Sequence, residues 1–544
     1  MPSTPRTWRT FTLPGCWGAL FFACLSFTPS LVPRSGLVQG VVCGITSAIG
    51  YGLGVCAAAI WRAYADRGPR PAGRRGWRTF LVSAGVLLVV FFGLGQAWQR
   101  QIRALMGVTE YSIPLAIASP FVAALIFVLL IGLARGLRWS YRRLVTVLRR
   151  WIGPRAANVT GWITVALVAY LVVSGLLLNG LSEGANAVFS TRDTTTADGV
   201  HRLAASSRSG GTDSLISWDS LGRQGRSFIG SGPTAGDIEK TMHGPALEPI
   251  RAFAGLASAA GTEARADLAV DDLDRAGGFR RKNLLVVTTT GSGWVNPAST
   301  DTFEYLSRGD SAVVAMQYSY LPSWISFLAD QSKAQDAGRD LFDAVFERWS
   351  KLPVGARPRL FVSGESLGTF GGETAFSGEH DLRNRTAGAV FAGPPNFNTL
   401  FTAFRDARDG GSPESGPIYK DGRTVRFTND ARAGFPPLGQ PWSGSRVAYL
   451  MHTSDPVVWW SPRLVLSEPN WIEESGRNVD DEVGYLQFVT FWQVTADLVF
   501  ATSVPDGHGH VYKAEYVDAW NAVLQPPAIT ADDLAALRAK TAAP

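Results

Sequence analysis

Apolar positions follow two regimes along this 544-residue chain. In the first third they form five long stretches, at about 13–32, 37–60, 80–97, 114–133 and 161–180. Each is long enough to cross roughly 30 Å of hydrocarbon as a helix. Trp61, Trp77, Trp98, Trp139 and Trp162 stand at or near their ends, where amphipathic rings favour the headgroup layer. Beyond about residue 250 the apolar runs shorten. Residues 284–290 (LLVVTTT), 312–320 (AVVAMQYSY), 359–363, 387–392 and 447–453 read as strands, and the Leu341, Val345, Trp349 spacing between them reads as helix. Further helical segments lie near 483–501 and 514–524. Continuously apolar strands alternating with helices predict a mostly parallel sheet covered on both faces, with its ligand site at the carboxyl ends of strands. Residues 183–248 are rich in Ser, Thr, Gly and Asp and read as a partly ordered juxtamembrane linker. The chain therefore divides into a multi-pass transmembrane anchor (1–182), the linker (183–248), a helix-covered sheet domain (249–526) and a short tail (527–544).

Charge sharpens this division. Residues 1–182 hold 18 arginines, no lysine and only Asp66 and Glu110 as acids, a net +16. The total is +6, so the remainder carries −10, and the pI of about 9.2 belongs to membrane loops and not to a nucleic-acid-binding face. Fifteen of those arginines fall before the first stretch or in the second and fourth loops; Arg34, Arg100 and Arg103 are the other three. That asymmetry predicts a cytoplasmic N-terminus and, after five spans, an extracytoplasmic C-terminal half. The spans hold almost no ionisable group, so they lack the markers of a channel, pump or proton relay. Gly40/Gly44 and Gly50/Gly54 read as close helix contacts. All four cysteines lie in the first 56 residues and read as small buried apolar side chains.

Three strand ends or loops carry candidate chemistry. Gly364-Glu365-Ser366-Leu367-Gly368 follows the strand RLFVS directly, the context in which a GxSxG string becomes a nucleophile elbow. Asp455 lies just past the strand VAYLM, with Asp430 and Asp480 as reserve acids. Among six histidines, His201, His243 and His380 lie in polar segments and His452 on the Asp455 strand end, which leaves His508 and His510 in DGHGH as the base, His508 preferred. The chain order Ser, Asp, His is that of the α/β-hydrolase triad. An Asp506, His508, His510 metal cluster is the rival reading, but no HExxH or second His pair completes it. Neither a metal nor a cofactor is expected.

GESLG, TTTGSGW, MQYSYLPSW, HTSDPVVWW, DGHGHVY and, in the anchor, FTPSLVPR together resemble the actinobacterial multi-pass membrane α/β-hydrolases. The resemblance implies an α-helical transmembrane domain of about five spans followed by an α/β-hydrolase domain. It implies a serine hydrolase fold and little about substrate; with the arginine asymmetry and the apolar spans, the expectation is a plasma-membrane serine hydrolase, esterase- or lipase-like, whose catalytic domain is extracytoplasmic. The imidazole would take the Ser366 proton while Asp455 holds its tautomer. Oxyanion donors would be the backbone N–H of Leu367 and one from the Gly291-Ser292-Gly293 turn. Trp294, Tyr318, Tyr320, Trp459 and Trp460, with Trp324 and Phe327, crowd the strand ends and suggest an apolar acyl pocket. The expected partners are the bilayer and a lipid or acyl ester, such as an acylated envelope component, with no nucleic acid. An acyltransferase using the same triad, or a non-catalytic binding module on the same fold, are the alternatives. A lid would be sought in 396–445.

Overall fold

The computed structural model describes residues 11–68, 72–109, 112–172, 175, 180–323, 325–326, 331–435, 438–474, 476 and 479–542. Two compact units share the chain: Met1–Val172 with Trp460–Pro505, and Val173–Trp459 with Asp506–Pro544.

Among the described residues of the first unit three helices are long and apolar enough to cross a membrane: α2 (Gly36–Tyr64), α3 (Arg74–Leu105) and α4 (Ile113–Leu148). This is fewer than the five expected. The first stretch forms only the 13-residue α1 (Leu13–Leu25), about 20 Å at 1.5 Å per residue. Pro29 and Pro33, which lack an N–H and clash with a preceding turn, follow in an irregular segment. The fifth stretch begins as α5 (Pro154–Leu171) and then enters residues 173–174 and 176–179, outside those described. Arg6, Arg9 and Arg70 also lie outside them. The glycine pairs do make close contacts. A Cβ on Gly40 would fall 2.6 Å from the Ser119 carbonyl of α4, and one on Gly54 2.4 Å from the Pro14 carbonyl of α1.

Residues 460–505 belong to this first unit and so interrupt the expected 249–526 domain. Their main helix, Thr490–Asp497, fits the irregular segment after α1. Asp497 accepts from the Ser30 hydroxyl and, at 3.0 Å, from Leu31 N–H, and lies 3.5 Å from the buried Arg34 guanidinium. Gln493 donates to the Thr28 carbonyl at 3.0 Å. Burial of these charges requires such pairing, which explains why FTPSLVPR is polar in the middle of an apolar region.

The second unit is built on seven parallel strands in the order β1-β3-β2-β4-β5-β7-β6. They are β1 (Ile250–Ala254), β2 (Asn283–Thr288), β3 (Ser311–Met316), β4 (Arg359–Glu365), β5 (Gly388–Ala392), β6 (Val425–Thr428) and β7 (Arg446–Leu450). Register is continuous across the centre: Val286 lies opposite both Val314 and Val362, and Phe391 opposite both Gly364 and Tyr449. Helices Thr262–Arg275, Gln331–Ser350 and Leu367–Glu373 pack together on one side of the sheet, and Pro297–Leu306 with Glu515–Leu524 on the other. Two strands are not foreseen by the hydrophobic pattern. β6 lies within 396–445, so that segment contributes a sheet edge. β1 carries Arg251 as its second residue.

Arg251 also explains why 183–248 is folded rather than partly ordered. Its guanidinium makes a bidentate pair with Glu304 (2.8 and 2.6 Å) and donates to the Phe228 carbonyl at 2.6 Å. Beside it the buried Arg208 donates to Pro233 O at 2.8 Å, and Ser209 Oγ accepts from Phe253 N–H at 3.0 Å while donating to Asp272. The polar composition is consumed internally.

Candidate active site

β4 ends at Glu365, and the helix Leu367–Glu373 begins one residue later. Ser366 between them has φ 54° and ψ −126°, a conformation that a non-glycine residue adopts only where its surroundings impose it. The glycines on either side make this turn possible. A Cβ on Gly364 would fall 2.4 Å from the Gly368 carbonyl, and one on Gly368 2.4 Å from the Thr288 carbonyl at the end of β2. Ser366 N–H donates to Ala392 O at the end of β5, 2.9 Å away. The serine side chain is thus lifted above the carboxyl edge of the sheet, partly exposed. Leu367, buried beneath it, opens the helix, so its N–H has no acceptor within that helix.

Asp455 follows β7 and is completely buried. Its Oδ2 accepts two hydrogen bonds at 2.7 Å, from His510 Nδ1 and from the Tyr512 hydroxyl; its Oδ1 accepts Val457 N–H at 2.8 Å. Among the described residues His510 Nε2 is buried without a hydrogen-bond partner. Burial pushes the His510 ring down, yet the charges of Asp455 and then Glu365 outweigh it and hold the imidazole above its ordinary 6.5. The ring lies against Gly393, where a Cβ would fall 2.3 Å from Cε1. Gly393 directly follows the residue that accepts from Ser366, so serine and imidazole share one corner of the sheet.

This reverses the preference for His508. That residue is half-buried, no carboxylate bonds its ring, and burial followed by the neighbouring His452 holds it below 6.5. Sequence could not separate two histidines spaced two apart; only the path of the loop decides which one meets Asp455. Nor do Asp506, His508 and His510 converge. Asp506 instead accepts the N–H groups of Lys513 and Ala514 and pairs with Arg432. No group of three His, Cys, Asp or Glu among the described residues is placed to hold a metal ion. The reserve acids also have other work. Asp430 caps the turn at Ala433, and Asp480 accepts Glu482 N–H in the other unit.

Of the glycine-turn donors, Gly293 N–H is committed to Thr290 O at 2.8 Å, which leaves those of Gly291 and Ser292. The aromatic candidates separate. Trp459 is core, its indole N–H bonded to Thr453 O at 2.9 Å; Trp460 lies in the first unit and donates to Thr495. Tyr318 and Tyr320 line a mostly apolar cavity of about 600 Å³ that also holds Arg265 and Lys333. Trp294 is half-buried beside Glu365 and Tyr516 around a much smaller void. Trp324 and Phe327 lie outside the described residues.

Three buried neighbours of these residues receive no role in the sequence reading. His452 places Nδ1 on Gly509 O and Nε2 on Glu515 Oε2, both at 2.8 Å, and stacks on Tyr512 with centroids 4.1 Å apart. It thereby fixes the loop that presents His510. Glu365 accepts from Asn296 and, at 2.8 Å, from the Tyr516 hydroxyl, and burial holds its carboxyl above the usual range. Glu373, at the end of the serine's helix, accepts Leu400 and Phe401 N–H, and burial pushes it up to about 7. The sequence signal for them is proximity to the motifs: Glu365 and Glu373 flank the serine, and His452 stands three residues before Asp455.

Two family profiles match. An alpha/beta-hydrolase family covers residues 250–537, and the N-terminus of an alpha/beta-hydrolase family covers 27–233. No curated protein and no solved structure gives a significant match. A parallel sheet with a strained serine at a strand-to-helix turn and a profile match over more than half of the chain agree, and the chain belongs to the alpha/beta-hydrolase family.

Proposed function

We propose that this chain is a membrane-anchored serine hydrolase that cleaves esters, of lipid or acylated envelope type, through Ser366, His510 and Asp455. The single observation that carries this is the His510–Asp455 hydrogen bond at 2.7 Å, with Nε2 left open beside an elbow serine. Asp455 selects the tautomer with hydrogen on Nδ1, so Nε2 is the acceptor. The Ser366 oxygen attacks the ester carbonyl as its proton passes to Nε2. Leu367 N–H and one N–H of Gly291 or Ser292 stabilise the oxyanion. Collapse expels the alcohol, which takes the proton from the imidazolium, and leaves an acyl-serine. Water, deprotonated by the same nitrogen, then releases the acid.

The arginine asymmetry supports an extracytoplasmic hydrolase domain on five crossings, with α1 and α5 alongside the three long helices, because these keep the N-terminus and the arginine-rich 62–78 and 135–155 segments together on the cytoplasmic side. Full-length protein in mild detergent should be labelled by a fluorophosphonate and should hydrolyse p-nitrophenyl esters. Folded protein that does neither refutes the catalytic reading. Protease added to intact spheroplasts should digest residues beyond 183; protection of that half refutes the orientation.

A further inference from the structure

The helices of the first unit pack in an open series: α3 against α1, α1 against α2, and α2 against α4, while α3 and α4 do not close on one another. Soluble helix bundles close such a ring because an apolar interior facing water is costly. Here the open side leads into a cavity of about 1360 Å³, above the roughly 300–1,000 Å³ of ordinary small-molecule pockets. Phe27, Cys43, Phe80, Leu88, Phe92 and Phe127 are among its lining, drawn from all four helices. The cavity therefore runs along the helices and not across one end.

Its chemistry is asymmetric. Among the described residues Arg62, near the end of α2, is the one charged residue of the lining, and Trp77 and Phe11 stand at the same end. Arg135 sits 4.7 Å above the Phe11 ring, which adds a second cation there. No carboxylate among the described residues lines the space. An occupant must then be apolar over most of its length and anionic at one end. Water would leave the apolar walls unsolvated, and a peptide would bring backbone groups that the walls cannot satisfy.

We propose that this cleft is a binding site for one anionic membrane lipid, its chains between α3 and α4 and its headgroup against Arg62. The proposal rests on the membrane-anchored reading but not on the triad. A lipid enters sideways from the bilayer through the α3–α4 opening, and the arginines of the 61–78 loop place its headgroup in the cytoplasmic leaflet. Binding stabilises the first unit by filling the space that four helices leave.

Native mass spectrometry of the full-length chain, extracted in mild detergent, tests this. The wild type should retain about one lipid per chain and, after exchange in mixed vesicles, prefer phosphatidylglycerol to phosphatidylcholine. Ala84→Trp with Ala124→Trp, both on the lining, should empty the cavity; Leu125→Trp, exposed and off the lining, should not. Arg62→Gln should keep a lipid but reduce the phosphatidylglycerol preference by about fivefold, as expected for one cation at a headgroup. Bare chain, retention without headgroup preference, or a lipid-free dimer would each overturn the proposal. If the tryptophan variants fail to fold, the Arg62→Gln selectivity still decides it. Protein recovered without detergent would sink the membrane reading together with the lipid site, whereas unchanged lipid retention in Ser366→Ala separates this site from catalysis.

Discussion

Two buried histidine–carboxylate pairs lie within one corner of the second unit, and their difference is instructive. His510 meets Asp455 at 2.7 Å and His452 meets Glu515 at 2.8 Å. Burial lowers both rings and the carboxylates more than restore them, so both are held above 6.5. By pairing, burial and direction of shift the two are nearly equivalent. They differ at the other nitrogen. His452 Nδ1 is occupied by Gly509 O, so that ring is a strut between two elements. His510 Nε2 is buried and has no hydrogen-bond partner among the described residues. A perturbed histidine is therefore not in itself a catalytic one, and the unoccupied nitrogen is what recommends His510 for the proposed role.

The largest test of this contrast is its removal. His510→Ala and Ser366→Ala should each lower kcat for p-nitrophenyl esters by roughly 10⁵- to 10⁶-fold, since the members act as a unit. His508→Ala should stay within about threefold. If folded His452→Ala loses fluorophosphonate labelling while His510→Ala keeps it, the two roles are exchanged. Asp455→Asn should cost about 10⁴-fold, because an amide can donate to Nδ1 and trap the wrong tautomer. Retention of full activity would remove Asp455 from the mechanism.

The strut should act on stability instead. Glu515→Gln should cost about 2 kcal/mol, the scale of a buried hydrogen bond to a charged group, with kcat of the folded fraction changed little. The sign with pH follows from a raised histidine. Its extra stability is complete below the unfolded value of 6.5 and fades as pH rises through the higher folded value. Thermal unfolding should thus separate wild type from variant more at pH 6 than at pH 9, and an equal gap would contradict a charged pair. Tyr512→Phe should give the smallest effect. It removes a donor from the oxygen that His510 also uses, leaving more charge facing the ring. The acid limb of kcat/KM should move to higher pH, with a several-fold loss at pH 6 and little change at pH 9. An unmoved limb would reduce Tyr512 to packing.

Much of the sheet is readable from local pattern because parallel strands buried on both faces must be continuously apolar. β2, β3, β4, β5 and β7 all follow runs such as LLVV and AVVAM. β1 escapes because Arg251 interrupts the run, and its burial is offset by Glu304 and Asp301, 53 and 50 residues away. The first helix is over-read for the opposite reason: the window stays apolar across 13–32 although two prolines end the helix. The elbow is legible because a strained serine needs glycines beside it, and those glycines are adjacent in sequence.

Sequence by itself thus determined the features whose causes are local: strands and helices from periodicity, and the strand-to-helix turn at Ser366 from its glycines. Tertiary structure decided everything that depends on two distant segments meeting. It chose His510 over His508, since the loop's path and the His452 strut aim one ring at Asp455. It assigned 460–505 to the helical unit, because Asp497 finds its partners at Ser30, Leu31 and Arg34. It left α3 and α4 apart, which no hydropathy plot records. Composition reports how apolar a segment is, whereas the neighbour a side chain meets is set by chain closure over tens to hundreds of residues.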